Sequence, residues 1–154
     1  MTDIPITCVV DASIGIQLVV EEALSEQTEE LFRHLTSAPP ARLYVPDLFY
    51  LECANILRKY HQRFGYSRAQ VEQSIALLRG LDVIVVPFIQ IIESTVHLSL
   101  LHGITAYDAS YVALADEYNL SLVTADIRLL NAMQHSAINV LTITDFLLGT
   151  SVSQ

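Results

Sequence analysis

Hydrophobic positions in this chain fall into two kinds of run. Five are short and dominated by apolar residues: 6–10, 42–45, 82–86, 121–124 and 139–141. None alternates strictly with polar residues, which predicts strands of a parallel sheet covered on both faces. Between them, apolar residues return at every third and fourth position, the helical period. Helices are expected from Ser13 to Val20, from a cap at Ser25 to about Ser37, and from Pro46-Asp47 to Phe64, where Gly65 is the stop. Further helices run from a cap at Ser67 to Gly80 and from Phe88 to Leu101, Thr105 opens the helix that holds Asp108, and another runs from Ile127 to Gln134, with a last turn from Asp145 to Leu148. Strands and helices in alternation predict a three-layer α/β/α fold on a parallel, roughly five-stranded sheet. No repeat or internal linker interrupts it, so residues 1–149 read as one domain and 150–154 as a loose tail.

Four carboxylates break the pattern from inside it. Asp11 ends the first apolar run, and Asp126 follows the run Leu120–Thr124. Asp108 shares a helical face with Tyr111, Val112 and Ala115, and Glu52 shares one with Leu48 and Ile56. A carboxylate on an apolar face costs roughly several kcal/mol unless a cation or hydrogen-bond donors meet it. Local explanations exist. Asp11 and Asp126 can cap the helices that follow them, and Thr105-Ala-Tyr-Asp108 has the spacing of a capping box. For mid-helix Glu52 the local explanation is a buried partner such as an arginine. The collective explanation is a single pocket beyond the carboxyl ends of the strands, where open α/β sheets build their sites. About four negative charges gathered there would call for one or two hard cations, Mg²⁺ or Mn²⁺.

Composition sharpens this in three places. An apolar fraction of 52% raises the question of a membrane span, but the most apolar region, 83–101, is broken by Pro87, Gln90, Glu93 and His97, and ~18 uninterrupted residues are needed. No basic stretch leads into an apolar one at the start, so a cytoplasmic protein is expected, its apolar content fitting either a greasy oligomer face or a large core. Cys8 and Cys53 lie far apart, and the five histidines have no ligand spacing, so zinc is not indicated. The net charge of −9 argues against broad, non-specific nucleic-acid binding.

That charge is segregated, however: five of the eight basic residues fall between 58 and 79, and Glu21, Glu22, Glu26, Glu29 and Glu30 form an acidic patch. Arg58, Lys59 and Arg63 follow Glu52 on one helix. Lys59 and Arg63 lie roughly 10–17 Å along its axis, either a track for a phosphate backbone or a solvated helix end. Arg128, two residues past Asp126, is a weaker phosphate contact. Asn55 and Thr124 are placed to support a carboxylate or a ligand oxygen, ordinary packing being the alternative. Asp47 reads as an N-cap and Asp145 as a cap or surface acid.

Val-Val-Asp11-Ala-Ser13, Glu52-Cys-Ala-Asn55-Ile-Leu, Tyr107-Asp108-Ala-Ser-Tyr-Val-Ala-Leu-Ala115 and Val123-Thr-Ala-Asp126-Ile-Arg-Leu129 together resemble the PIN domain family. More narrowly they resemble the VapC-type toxins of toxin–antitoxin pairs, over about residues 8–146. The order and spacing of the pieces carry the likeness. It implies a metal-dependent endoribonuclease with Asp11, Glu52, Asp108 and Asp126 on Mg²⁺ or Mn²⁺ and a supporting hydroxyl from Ser13. It also implies an RNA substrate cut to a 5′-phosphate and a 3′-hydroxyl, a homodimer, and a small antitoxin that reaches the pocket with an arginine. The acidity is the departure, and it bears on RNA affinity.

Two other functions compete. One is a non-catalytic module on the same fold that binds RNA or protein. The other is phosphoryl transfer through an aspartyl-phosphate on Asp11, which ordinarily needs a second acid two residues on or a lysine across the pocket. Position 13 is serine and the only lysine is Lys59, so this reading is the weaker.

Overall fold

The first strand, β1 (Thr7–Val10), is built of residues that tolerate complete burial, and Cys8, Val9 and Val10 are wholly inaccessible. The computed structural model describes residues 4–152. Asp11 ends β1 and caps a single helical turn, α1 (Ala12–Gly15), which tightens into a 3-10 turn at Ile16–Leu18. Then come α2 (Ser25–Arg33), β2 (Arg42–Pro46), α3 (Leu48–Arg63), α4 (Arg68–Arg79) and β3 (Ile84–Val86). The second half holds α5 (Ile92–His102), α6 (Ala106–Tyr118), β4 (Leu122–Val123), α7 (Ile127–Met133), β5 (Val140–Leu141) and α8 (Ile143–Val152).

All pairings are parallel and the strand order is β3-β2-β1-β4-β5. The chain winds outward from β1 to β3, then returns to place β4 on the other side of β1. That reversal opens a crevice beyond the carboxyl ends of β1 and β4. Asp11 leaves one strand there, and Thr124, Ala125 and Asp126 leave the other. Helix α6, buried from Ala109 through Ala115, is enclosed almost all round. It ends at Asn119, whose left-handed backbone (φ 52°) turns the chain into β4.

Several local expectations change. Ser25 does not cap α2; its hydroxyl accepts from the Glu22 N–H and donates to the Val20 carbonyl, closing the preceding loop. Asp47 stands at the start of α3, yet its Oδ1 accepts from the Phe88 N–H (3.0 Å), tying α3 to the segment after β3. The helix expected from Phe88 divides into a 3-10 turn at Phe88–Gln90 and α5, and α2 likewise closes in a 3-10 turn at His34–Thr36. The last turn is longer than expected: α8 carries Thr150 through Val152 in helix, while residues 153–154 of the anticipated tail lie outside the described residues.

Gly15 sets the approach of α1 to α3. A Cβ there would fall 2.5 Å from Cζ and 2.6 Å from Cε2 of Phe49, a ring wholly buried. Its helical φ of −56° would otherwise favour alanine. Because that ring is held by the core, overpacking decides the sign. Gly15→Ala is expected to cost about 1–3 kcal/mol, read as a lowered midpoint in thermal unfolding; an unchanged or raised midpoint would show that Phe49 yields freely.

Candidate active site

Asp11 is the most enclosed of the four acids, at 5% exposure. As N-cap of α1 it accepts from the Ile14 N–H (3.2 Å) and the Ser13 hydroxyl (2.5 Å) on Oδ1, and from the Thr124 hydroxyl on Oδ2. The same two hydroxyls continue across the crevice. Ser13 Oγ accepts from the Ala125 N–H (2.9 Å) and Thr124 Oγ1 accepts from the Asp126 N–H (3.0 Å). The ends of β1 and β4 are thus laced together through one carboxylate. Ser13 and Thr124 both donate to Asp11.

Glu52 is half-buried on the flank of α3, beside the core face of Phe49, Cys53 and Leu57. Its local partner is not an arginine: the Tyr111 hydroxyl donates to Oε1 at 2.6 Å. Asp108 starts α6, where Thr105 Oγ1 accepts from its backbone N–H (3.1 Å). The capping expectation therefore holds for that N–H. Asp126 also caps, through Oδ1, which accepts from the N–H groups of Arg128 (2.9 Å) and Leu129 (3.4 Å).

The four acids lie in a row, each within reach of its neighbour's charge: Asp11 beside Glu52, Glu52 beside Asp108, Asp108 beside Asp126. Among the described residues, no three His, Cys, Asp or Glu side chains are already gathered at ion-binding spacing. Burial pushes the Asp11 carboxyl up to about 6, with its three donors lowering it and Glu52 raising it further. Burial likewise raises Glu52, opposed by the Tyr111 bond and aided by Asp108. Burial raises Asp108 too, aided by Asp126 and opposed by Thr105 and Arg128. Cys53, buried next to Glu52, is an inert thiol pushed up to about 12.

Cations are scarce here. Arg128 Nε stands 3.9 Å from Asp126 Oδ1 on a side chain 96% exposed, a contact worth little in water. Arg58, Lys59 and Arg63 project into solvent from the far half of α3, and Arg58 is engaged with Asn55 (3.4 Å) and Gln62 (2.9 Å). Asn55 is exposed and serves that arginine, not a carboxylate. The donor set at the crevice is therefore carboxylate and hydroxyl oxygen, which suits a hard divalent ion and not a soft one. Tyr111 was legible in the sequence only as a marker of the inward face of α6. The available signal was chemical: a buried tyrosine hydroxyl needs a partner.

The profile of the PIN domain family matches residues 8–135. The VapC ribonuclease Mb0985 of Mycobacterium bovis is 36% identical over 121 residues, spanning 79% of this chain and 87% of that one. Ribonuclease VapC3 of Pyrobaculum aerophilum is 37% identical over 123 residues, spanning 77% and 88%. Among solved structures, PAE2754 from Pyrobaculum aerophilum superposes with a TM-score of 0.64 at 21% identity, covering 96% of this chain and 90% of its own. Mycobacterium tuberculosis VapC20, a Sarcin-Ricin loop cleaving toxin, gives 0.61 at 15% identity over 81% and 94%. A toxin–antitoxin complex from Klebsiella pneumoniae gives 0.58 at 20% identity over 88% and 97%.

Proposed function

The chain belongs to the PIN domain family, and from that premise we propose that it is an endoribonuclease, the toxin of a toxin–antitoxin pair, whose activity depends on Mg²⁺ or Mn²⁺. The observation that carries the proposal is the row of four acids at the crevice where the strand order reverses, three of them (Asp11, Glu52 and Asp108) with carboxyls raised by burial, and with few cations beside them. Asp11, Glu52, Asp108 and Asp126 would hold one or two ions, and residues 1–149 act as a single nuclease domain. When bound, such an ion polarises the scissile phosphate, lowers the pKa of the attacking water and stabilises the leaving oxygen.

The chain's own groups do the rest. Ser13 and Thr124 hold both oxygens of Asp11 in place, so the innermost carboxylate needs no reordering during a turnover. Asp126 keeps Oδ1 on its helix, which fixes the direction of its other oxygen. Any acid of the set not on the ion orients the water and accepts its proton. Arg128 reaches the phosphate, and Arg58, Lys59 and Arg63 guide the strand outward from the crevice. The test is cleavage of single-stranded RNA with Mg²⁺, with Mn²⁺ and with EDTA, wild type beside Asp108→Asn. Cutting that survives EDTA would overturn metal dependence; no cutting under any condition would favour a binding module on the same fold.

A small antitoxin partner belongs to this reading, with an arginine of its own meeting the acids. So does a cytoplasmic location; among the described residues no helix is long and apolar enough to cross a membrane. A homodimer is supported by an uncovered ladder on α5, where Ile92, Val96 and Leu100 repeat every fourth residue at 39%, 50% and 81% exposure. Light scattering should return twice the 17.1 kDa chain mass. A monomer at micromolar concentration would remove the dimer from the proposal.

A further inference from the structure

Asp11, Glu52 and Asp126 are each oriented by a different device, and of these three Glu52 has the barest. Asp11 is fixed by a backbone N–H and two hydroxyls, and Asp126 by two backbone N–H groups. The hydrogen bond recorded for the Glu52 carboxylate is the one from Tyr111, an aromatic side chain on another helix and fifty-nine residues away. Tyr111 is 2% exposed, so it cannot touch RNA, and its ring is locked among core residues of α6. A phenol has one hydrogen to donate. Given to Oε1, it occupies one carboxylate oxygen and leaves Oε2 as the oxygen open to a ligand.

We propose that Tyr111 is a positioning residue, which holds Glu52 so that a single oxygen, Oε2, is presented to the divalent ion. This rests on the nuclease reading for the identity of the ion and adds the residue that prepares its ligand. It also joins α3, which carries Glu52, to α6, which carries Asp108. Partners that orient a metal ligand are worth about 10- to 100-fold in metal affinity.

The test is direct Mn²⁺ binding to the purified full chain, read by the electron paramagnetic resonance of unbound Mn²⁺, with thermal unfolding measured alongside. Tyr111→Phe removes one oxygen and keeps the ring. It is expected to weaken Mn²⁺ binding about tenfold while the folded baseline stays intact. In a Glu52→Gln background the same substitution should bring no further loss, since the anionic ligand it orients is already gone. A Tyr111→Phe chain that melts earlier yet binds Mn²⁺ as wild type does would make the tyrosine purely structural and overturn the proposal. Equal losses in both backgrounds would overturn it too. Binding is read without RNA, so a wild type that takes up Mn²⁺ but cuts nothing would sink the nuclease reading while this comparison still decides the role of Tyr111.

Discussion

Asp108→Asn should reduce RNA cleavage by about a thousandfold or more, equivalent to ~4 kcal/mol of lost transition-state stabilisation, while leaving the fold intact or slightly more stable. The two halves of that expectation have separate causes. The cap at the start of α6 runs from the Asp108 backbone N–H to Thr105, and an amide side chain does not disturb it. The carboxylate itself is half-buried, beside Asp126 and Glu52, and both neighbours push against its charge. Removing that charge relieves repulsion in the ion-free protein and deletes an anionic oxygen from the ion's ligands. Cleavage and thermal midpoint should therefore move in opposite directions. Undiminished cleavage by the variant would end the enzymatic assignment. A loss of cleavage accompanied by unfolding would mean that the capping explanation of Asp108 had been sufficient.

Raising the pH from about 4 to 7 in the absence of divalent ions should destabilise the protein, and Mn²⁺ should restore it at pH 7 but barely at pH 4.5. Asp11 binds its proton more tightly in the folded state, with its carboxyl pushed up to about 6 from 3.8. Between those values the native state holds the proton and the unfolded state has lost it, so the slope of stability with pH is negative. The favourable contribution is complete below the unfolded value and disappears as pH climbs through the folded one. For Asp11 this is of the order of 3 kcal/mol, and Glu52 and Asp108 shift in the same direction. An ion bound to ionised acids stabilises only the folded state, which reverses the loss where the acids are charged. Thermal melts at the two pH values, with Mn²⁺ or EDTA, check this. Asp11→Asn should flatten the ion-free slope. A midpoint that rises smoothly with pH, or an equal Mn²⁺ effect at both values, would contradict it.

Much of the fold was legible locally. The unbroken runs in β1 and β4 mark strands buried on both faces, Ser67 caps α4 through the Gln70 N–H, and Thr105 caps α6. Where local reading failed, a different partner had won. Ser25 has the right chemistry for a cap but satisfies the loop before it, and the Asp47 carboxylate is claimed by Phe88, forty-one residues on. Asn55 was placed correctly one turn past Glu52, yet the side chain faces outward to Arg58.

The sequence by itself determined the α/β class, the positions of the strand ends, and the presence of four acids where apolar residues would be expected. Those are properties of spacing within ten or fifteen residues, and the chain's period records them. Only the tertiary structure decided that β4 returns beside β1, which brings the Thr124 hydroxyl to Asp11 across 113 residues. It likewise decided that Tyr111 answers Glu52 and that the acids stand in a row. A buried carboxylate must find a donor, but any of several would satisfy it equally well. Which one it finds depends on how the strands are ordered, and no local periodicity carries that information.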